Sequence, residues 1–254
     1  MAEDFLGAWN AFRAAREERL SAPHGFLAIT GLHWLDSTPQ RYDGAPGAWR
    51  IASDGVVVEL GPEESLTIDG SEIRGHHVLG QVDEAGIRAR SGDVEIEVAG
   101  RGGAVLLRPR DPAHALRAGH RPTPTFPPSP DWVLNATFHA LDGDRPIEDA
   151  IGEVAFEVAG EVQRLVAYDD DGGLWLVFAD ATSGTTTYDA GRQLYTPGPA
   201  GDGSVVLDFN RTTNLPCAYT DFTTCPVPLP QNRLQVAIEA GEQMPLQSVA
   251  SAQE

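Results

Sequence analysis

Between Asp180 and Glu242 the chain crowds together side chains able to do chemistry, reading DATSGTTTYDAGRQLY, then VVLDFNRTTNLPCAY, TCPVPLPQNRL and IEAGE. Arg192 and Arg211 can each present a guanidinium fork to a carboxylate or phosphate. That makes them the candidate contacts for a small anion, although Asp180 and Asp208 stand ready to take them as internal ion pairs. Tyr188 and Tyr219 offer aromatic walls with a hydroxyl at the tip, and Asn210 an orienting amide. Asp180, Thr182 and Gly184 read as a turn closed by side-chain-to-backbone hydrogen bonds. Asn214, Cys225 and Asn232 read as groups that hold an irregular loop, because backbone without a ladder must be satisfied by side chains.

The two cysteines, Cys217 and Cys225, are eight positions apart and flanked by Pro216 and Pro226. Two small buried hydrophobes pinning a loop is the first reading and a disulfide the second. A Cys217 nucleophile is the third, and it would require a depressed pKa and a positioned base. Asp180 and Asp208 are the alternative catalytic candidates, as general bases. Zinc needs more ligands than this spacing supplies, so no metal site is expected. His24, His33, His76, His77, His114, His120 and His139 all precede the cluster, and no G-x-S-x-G elbow is present. His76 and His77 are neighbours on an expected strand and so point to opposite faces.

The 254 residues carry a net charge of −19, and all 18 basic residues are arginine. Schiff-base and P-loop lysine chemistry are thereby excluded. A nucleic acid or an anionic membrane would be repelled by such a surface, so neither is expected as a partner. No apolar run is long enough to span a bilayer. The opening MAEDFLGAWNAFRAAREERL lacks an apolar signal core, so the expectation is a cytoplasmic protein with reduced cysteines.

The elements that must position the cluster are mostly strands. Phe5, Trp9, Phe12 and Leu20 share one face of an N-terminal amphipathic helix ended by Pro23. An antiparallel meander follows: residues 56–60, a hairpin of 65–68 and 71–73 around Asp69-Gly70, then 87–90, 94–98 and 104–107. Prolines from Pro109 to Pro130 interrupt it. Strands resume at 132–141, 154–158, 162–167, 174–178, 205–209 and 234–238. The acidic turn Asp169-Asp170-Asp171 lacks the downstream Glu of a calcium loop and reads as a solvated hairpin. The fold class expected is mainly β, an antiparallel sandwich or barrel-like set of sheets with an N-terminal helix. Its organisation is a helix at 1–22, a β module at 23–118, a proline-rich crossing at 119–131 and a second module at 132–254 carrying the cluster. The two modules are expected to join as two units or as one continuous domain.

The cluster also resembles a known family. Asp180, Thr182, Gly184, Thr187, Tyr188, Gly191 and Arg192 match the first part of the motif pattern of domain-of-unknown-function family 1684. Asp208, Phe209, Asn210, Asn214, Pro216, Cys217 and Ala218 match the second. Thr224, Cys225, Pro226, Asn232, Arg233, Leu234, Ala240, Gly241 and Glu242 match the remainder. The segment Gly31–Leu35 and the charged helix before it extend the likeness. Leu215, where the family has a second proline, and the prolines around 122–130 depart from it. The resemblance implies membership and carries no activity or cofactor.

Three functions follow as expectations. The first is a β scaffold presenting the 180–242 loops as a pocket for a small anionic ligand, contacted by Tyr188, Arg192, Asn210, Arg211 and Tyr219. The second is a hydrolase or transferase using Cys217, Asp180 or Asp208. The third is a structural or interaction protein in which the cluster is a hydrogen-bonded core.

Overall fold

The computed structural model describes residues 2–141, 147 and 149–246. Two compact units are present, residues 18–120 and residues 1–17 with 121–254. The outer ends of the first and last expected segments, Met1 and residues 247–254, lie outside the described residues.

The unit of residues 18–120 is built from antiparallel sheets. One has the spatial order His33–Trp34, Ala104–Arg110, Val94–Arg101, Ile87–Ser91, Leu66–Ile68, Ser71–Ile73, and the other Gln40–Tyr42, Ala45–Ala52, Gly55–Glu59, His76–Gly80. The Asp69-Gly70 hairpin forms as expected: both residues have positive φ, 49° and 77°, the twist that suits a two-residue connection. Trp49, Val58, Leu66, Ile96, Val98 and Leu107 form its core. Pro109, expected to end the meander, instead sits within the strand Ala104–Arg110, opposite Ile96.

A buried carboxylate ties this unit together. Glu97 is 2% exposed and accepts from Arg108 Nε and Nη2 at 2.9 and 2.8 Å and from Arg110 Nη2 at 2.7 Å. Burial alone would push the Glu97 carboxyl up, but the two guanidinium groups hold it down at about 2. A carboxylate depressed in the folded state stabilises above its ordinary value, and that contribution disappears as pH falls through the folded one. Glu97→Gln is therefore expected to flatten the fall in thermal stability between about pH 4.5 and 2. It also leaves two buried guanidiniums uncompensated, a cost of about 3 kcal/mol at neutral pH. Melts across a pH series check both.

Among the described residues the other unit contains a curled sheet of seven strands. Its order is Ser204–Asp208, Val133–Ala140, Ala150–Val158, Glu161–Asp170, Gly173–Phe178, Arg192–Thr196, Thr213–Asn214. Neighbours are antiparallel throughout. The curl brings the first strand back toward the sixth, where Thr196 Oγ1 donates to the Val206 carbonyl at 2.8 Å. Alternation along each strand sends Val154, Phe156, Leu165, Leu176, Phe178, Leu194 and Leu207 to the core. Phe209 closes the core, its ring in contact with Phe156 and Phe178.

The helix Ala2–Leu20 belongs to this unit through Glu17. The expected strand at 234–238 does not form. These residues run irregularly: Leu234 N–H donates to the Ala179 carbonyl and the Val236 carbonyl accepts from Ala181 N–H, while the backbone groups of Ile238 are taken by the side chains of Arg192 and Asp180. Within the expected crossing at 119–131, residues 124–126 lie antiparallel to the chain at 241–243, with Phe126 N–H donating to the Gly241 carbonyl and Gln243 N–H to that of Pro124, and the crossing ends in the short turn Pro130–Trp132. No helix of the described residues is long and apolar enough to cross a membrane.

Candidate functional site

The cluster is organised around two buried carboxylates. The first, Asp180, follows the strand Gly173–Phe178 and has no exposed side-chain surface. Its Oδ1 accepts from Thr182 N–H at 2.7 Å and from Thr182 Oγ1 at 2.6 Å. The Thr182 proton being committed, Thr187 Oγ1 must be the donor in its 2.8 Å contact with Thr182. Gly184, at φ 80°, closes the turn by donating its N–H to the Thr187 carbonyl. Asp180 Oδ2 meets Arg192 Nη2 at 2.7 Å.

Arg192 is 0% exposed. Its guanidinium also donates to the carbonyls of Ile238, Ala240 and Glu242 at 2.9, 2.6 and 3.1 Å and lies over the Phe178 ring. The first of these carbonyls ends the segment that fails to form a strand, and the other two follow it. Burial lowers the Arg192 pKa, while Asp180 and Glu242 oppose the shift.

The second carboxylate, Glu242, is also 0% exposed. It receives Arg13 Nη1 at 2.6 Å and Arg16 Nε at 3.1 Å from the N-terminal helix. It also receives Asn214 N–H at 2.7 Å from the last strand of the sheet and the Tyr219 hydroxyl at 3.0 Å from just past the turn Pro216–Ala218. Since Tyr219 spends its proton on Glu242, Thr123 Oγ1 donates to Tyr219 at 2.9 Å. Arg16 also lies over the Tyr219 ring and donates to the Asn214 carbonyl. Burial pushes the Glu242 carboxyl up, but Arg16 and Arg13 more than offset it, leaving the group below its ordinary value. Burial and Glu242 push the Tyr219 phenol up. Gly241 at φ 75° makes the approach possible, since a Cβ there would stand 2.5 Å from the Thr212 carbonyl oxygen.

The remaining expected residues are placed as follows. Asn210 is buried and clamps Ser129 through a reciprocal pair, accepting from its N–H and donating to its carbonyl, both at 2.9 Å. Asp208 caps the short turn Phe209–Arg211 and pairs with Arg211 Nε at 3.1 Å. Arg211 is half-exposed and lies over the Phe12 ring of the helix. Asn232 bridges two strands, accepting from Val166 N–H at 2.7 Å and donating to the Val166 and Val177 carbonyls. Asn214 donates to the Gln243 carbonyl. The half-buried Tyr188 donates to the Cys217 carbonyl at 3.1 Å, and burial pushes its phenol up. Cys217 and Cys225 are half-buried and lie beside one another without a disulfide between them, with Cys217 N–H donating to Cys225 Sγ at 3.1 Å.

The charged members of the cluster thus face each other, and each guanidinium expected to meet an anion is engaged by a carboxylate of the same chain. Arg13, Arg16 and Thr123 were not singled out from the sequence, and Glu242 was named only as a motif position. The available signal was the i, i+3 spacing of the two arginines on a helix otherwise read only for its apolar face.

A second feature stands on the opposite face of the sheet. Tyr168 pairs with Trp175, and Trp175 with Tyr195, as direct cross-strand neighbours. Leu165, Leu174, Leu176 and Leu194, at alternate positions, point to the core, so the three rings share the outer face. Their centroids are 5.7 and 6.2 Å apart. Gln193 Oε1 accepts from Trp175 Nε1 at 3.1 Å and from the Tyr195 hydroxyl at 3.3 Å, fixing the row. Tyr195 is 48% and Val206 53% exposed. Asp169, Asp170 and Asp171 follow Tyr168 directly and are exposed. Burial and then Asp149 push the Tyr168 phenol up.

The family model described as "Protein of unknown function (DUF1684)" matches residues 118–243, which take in the whole cluster except the helix arginines. No curated protein matches. Among solved structures, an uncharacterised protein of Haloarcula marismortui, determined in solution by NMR, is 29% identical with a TM-score of 0.44, over 52% of this chain and 80% of that one.

Proposed function

Since residues 118–243 match the DUF1684 family model, which is described without an activity, we propose a role from geometry: a binding module whose recognition surface is the aromatic row Tyr168–Trp175–Tyr195. The carrying observation is the row itself, three rings from three adjacent strands with an acidic turn at one end. Large apolar rings on an outer sheet face favour a partner that covers them. The net charge of −19 and the neighbouring aspartates select a cationic one, because ring faces and carboxylates both attract an ammonium or guanidinium. The ligand class is an organic cation or a basic side chain of a partner.

The reading as an enzyme finds less support. Hydrogen bonding to Cys225, and then burial, push the Cys217 thiol up, the wrong direction for a nucleophile. Asp180 and Asp208 are occupied by Arg192 and Arg211.

Calorimetric titration of the full chain with benzyltrimethylammonium chloride, against equal sodium chloride, tests the proposal. Saturable binding is expected, and Trp175→Ala should weaken it about five-fold, the equivalent of one cation–π contact of about 1 kcal/mol. Trp175→Phe should restore part of it. Identical titrations of wild type and Trp175→Ala, or no response beyond sodium chloride, would refute the assignment.

A further inference from the structure

Cys217 and Cys225 take no part in the polar cluster or in the aromatic row, yet they are placed together. Cys217 lies in the short turn Pro216–Ala218, Cys225 in the irregular chain beyond it, and each is held next to a proline. Cys217 N–H donates to Cys225 Sγ at 3.1 Å, and Thr223 Oγ1 lies 3.5 Å from the same sulfur. The Cys217 backbone is also anchored by Tyr188 through its carbonyl. Both are partly exposed, so a small reagent can reach them.

We infer that Cys217 and Cys225 form a reversible dithiol–disulfide couple that exchanges with low-molecular-weight disulfides. The roles of the two sulfurs differ. Cys225 is the sulfur that accepts the Cys217 N–H, and a donor of that kind favours the charged form. Cys217 faces its neighbour's sulfur and has its thiol pushed up by that contact and by burial. Cys225 is thus the attacking thiolate and Cys217 the resolving thiol.

The Cys225 thiolate attacks one sulfur of R–S–S–R, forming a mixed disulfide and releasing RS⁻, which takes up the proton Cys225 gave to solvent. Cys217 then loses its proton and attacks Cys225 Sγ, expelling the second RS⁻, which becomes RSH. Two thiols are oxidised, one small disulfide is reduced to two thiols, and two electrons pass between them. The bond formed closes a short loop that carries Tyr219, the partner of Glu242, so oxidation fastens the loop that supports the polar cluster.

Oxidised glutathione and the native full chain supply the test, read by intact mass and thiol count. The expected product loses two hydrogens, keeps no glutathione and returns to two thiols with excess reduced glutathione. Cys217→Ser should retain one glutathione on Cys225, whereas Cys225→Ser should react far more slowly at neutral pH. Circular dichroism of each variant confirms that the native fold is being tested, and Cys217→Ala serves if the serine variant does not fold. Wild type that stops at a stable mixed disulfide, or keeps both thiols while the denatured chain oxidises under the same conditions, would overturn the inference.

Discussion

Replacing Arg192 by alanine is expected to produce the largest loss of stability of any single substitution in the chain. The change removes four hydrogen bonds, one to Asp180 and three to the carbonyls of Ile238, Ala240 and Glu242. Asp180, which has no exposed side-chain surface, is left as a buried charge without its counter-ion. Removing one partner of such a pair costs about 3–5 kcal/mol. In a unit of this size each kcal/mol lowers the melting temperature by about 2–4 °C, so a fall on the order of ten degrees is expected. Arg192→Lys should recover only part of it, because a single ammonium cannot reach four acceptors arranged for a planar fork. Thermal unfolding followed by circular dichroism decides the matter. An Arg192→Ala chain that melts like wild type would mean the arginine is available to a ligand and carries no structural load.

Glu242→Gln is the second large effect. The substitution keeps the shape but leaves Arg13 and Arg16 facing a neutral amide at a position with no exposed side-chain surface of its own, again a cost of about 3–5 kcal/mol. Its pH dependence has a definite sign. The folded carboxyl lies below its ordinary value, so the stabilisation is complete above that value and is lost as pH falls through the folded one. Wild type should lose stability on acidification through this window, and Glu242→Gln should lose correspondingly less. The damage should also be coupled. Arg16→Leu in the Glu242→Gln background is expected to cost less than Arg16→Leu alone, because the carboxylate it would have orphaned is already gone. Hydrogen exchange gives the local readout: the Asn214 amide, which donates to Glu242 in wild type, should lose protection first. Additive effects of the two substitutions would contradict the hub.

These two carboxylates also mark how far the sequence could be read. Alternation of apolar residues identified most strands, and Asp69-Gly70 identified a hairpin, because both signals are local. The concentration of chemistry-bearing residues between 180 and 242 was equally visible. What each residue faces was not, since that depends on contacts across the chain: Arg16 and Glu242 are 226 positions apart. Arg192 looked like an anion contact because a guanidinium is equally suited to a ligand and to an internal carboxylate, and only burial separates the two. Residues 234–238 had the composition of a strand, but Leu234 and Val236 bond the irregular backbone at 179 and 181, and Arg192 and Asp180 claim the groups of Ile238 that a ladder would have used. Tyr168, Trp175 and Tyr195 were invisible as a set. Their sequence spacing carries no period, and they align only because the register of two hairpins places them side by side.

The central claim is a division of labour, with the polar cluster closed as a frame and recognition moved to the outer face of the sheet. Amide-resolved NMR titration of the full chain with benzyltrimethylammonium chloride, against sodium chloride, tests it most directly. The account predicts saturable shifts confined to the neighbourhood of Tyr168, Trp175, Gln193 and Tyr195, with the amides around Asp180, Arg192 and Glu242 unmoved. Shifts centred on Arg192 or Glu242, or none at the aromatic row, would contradict it.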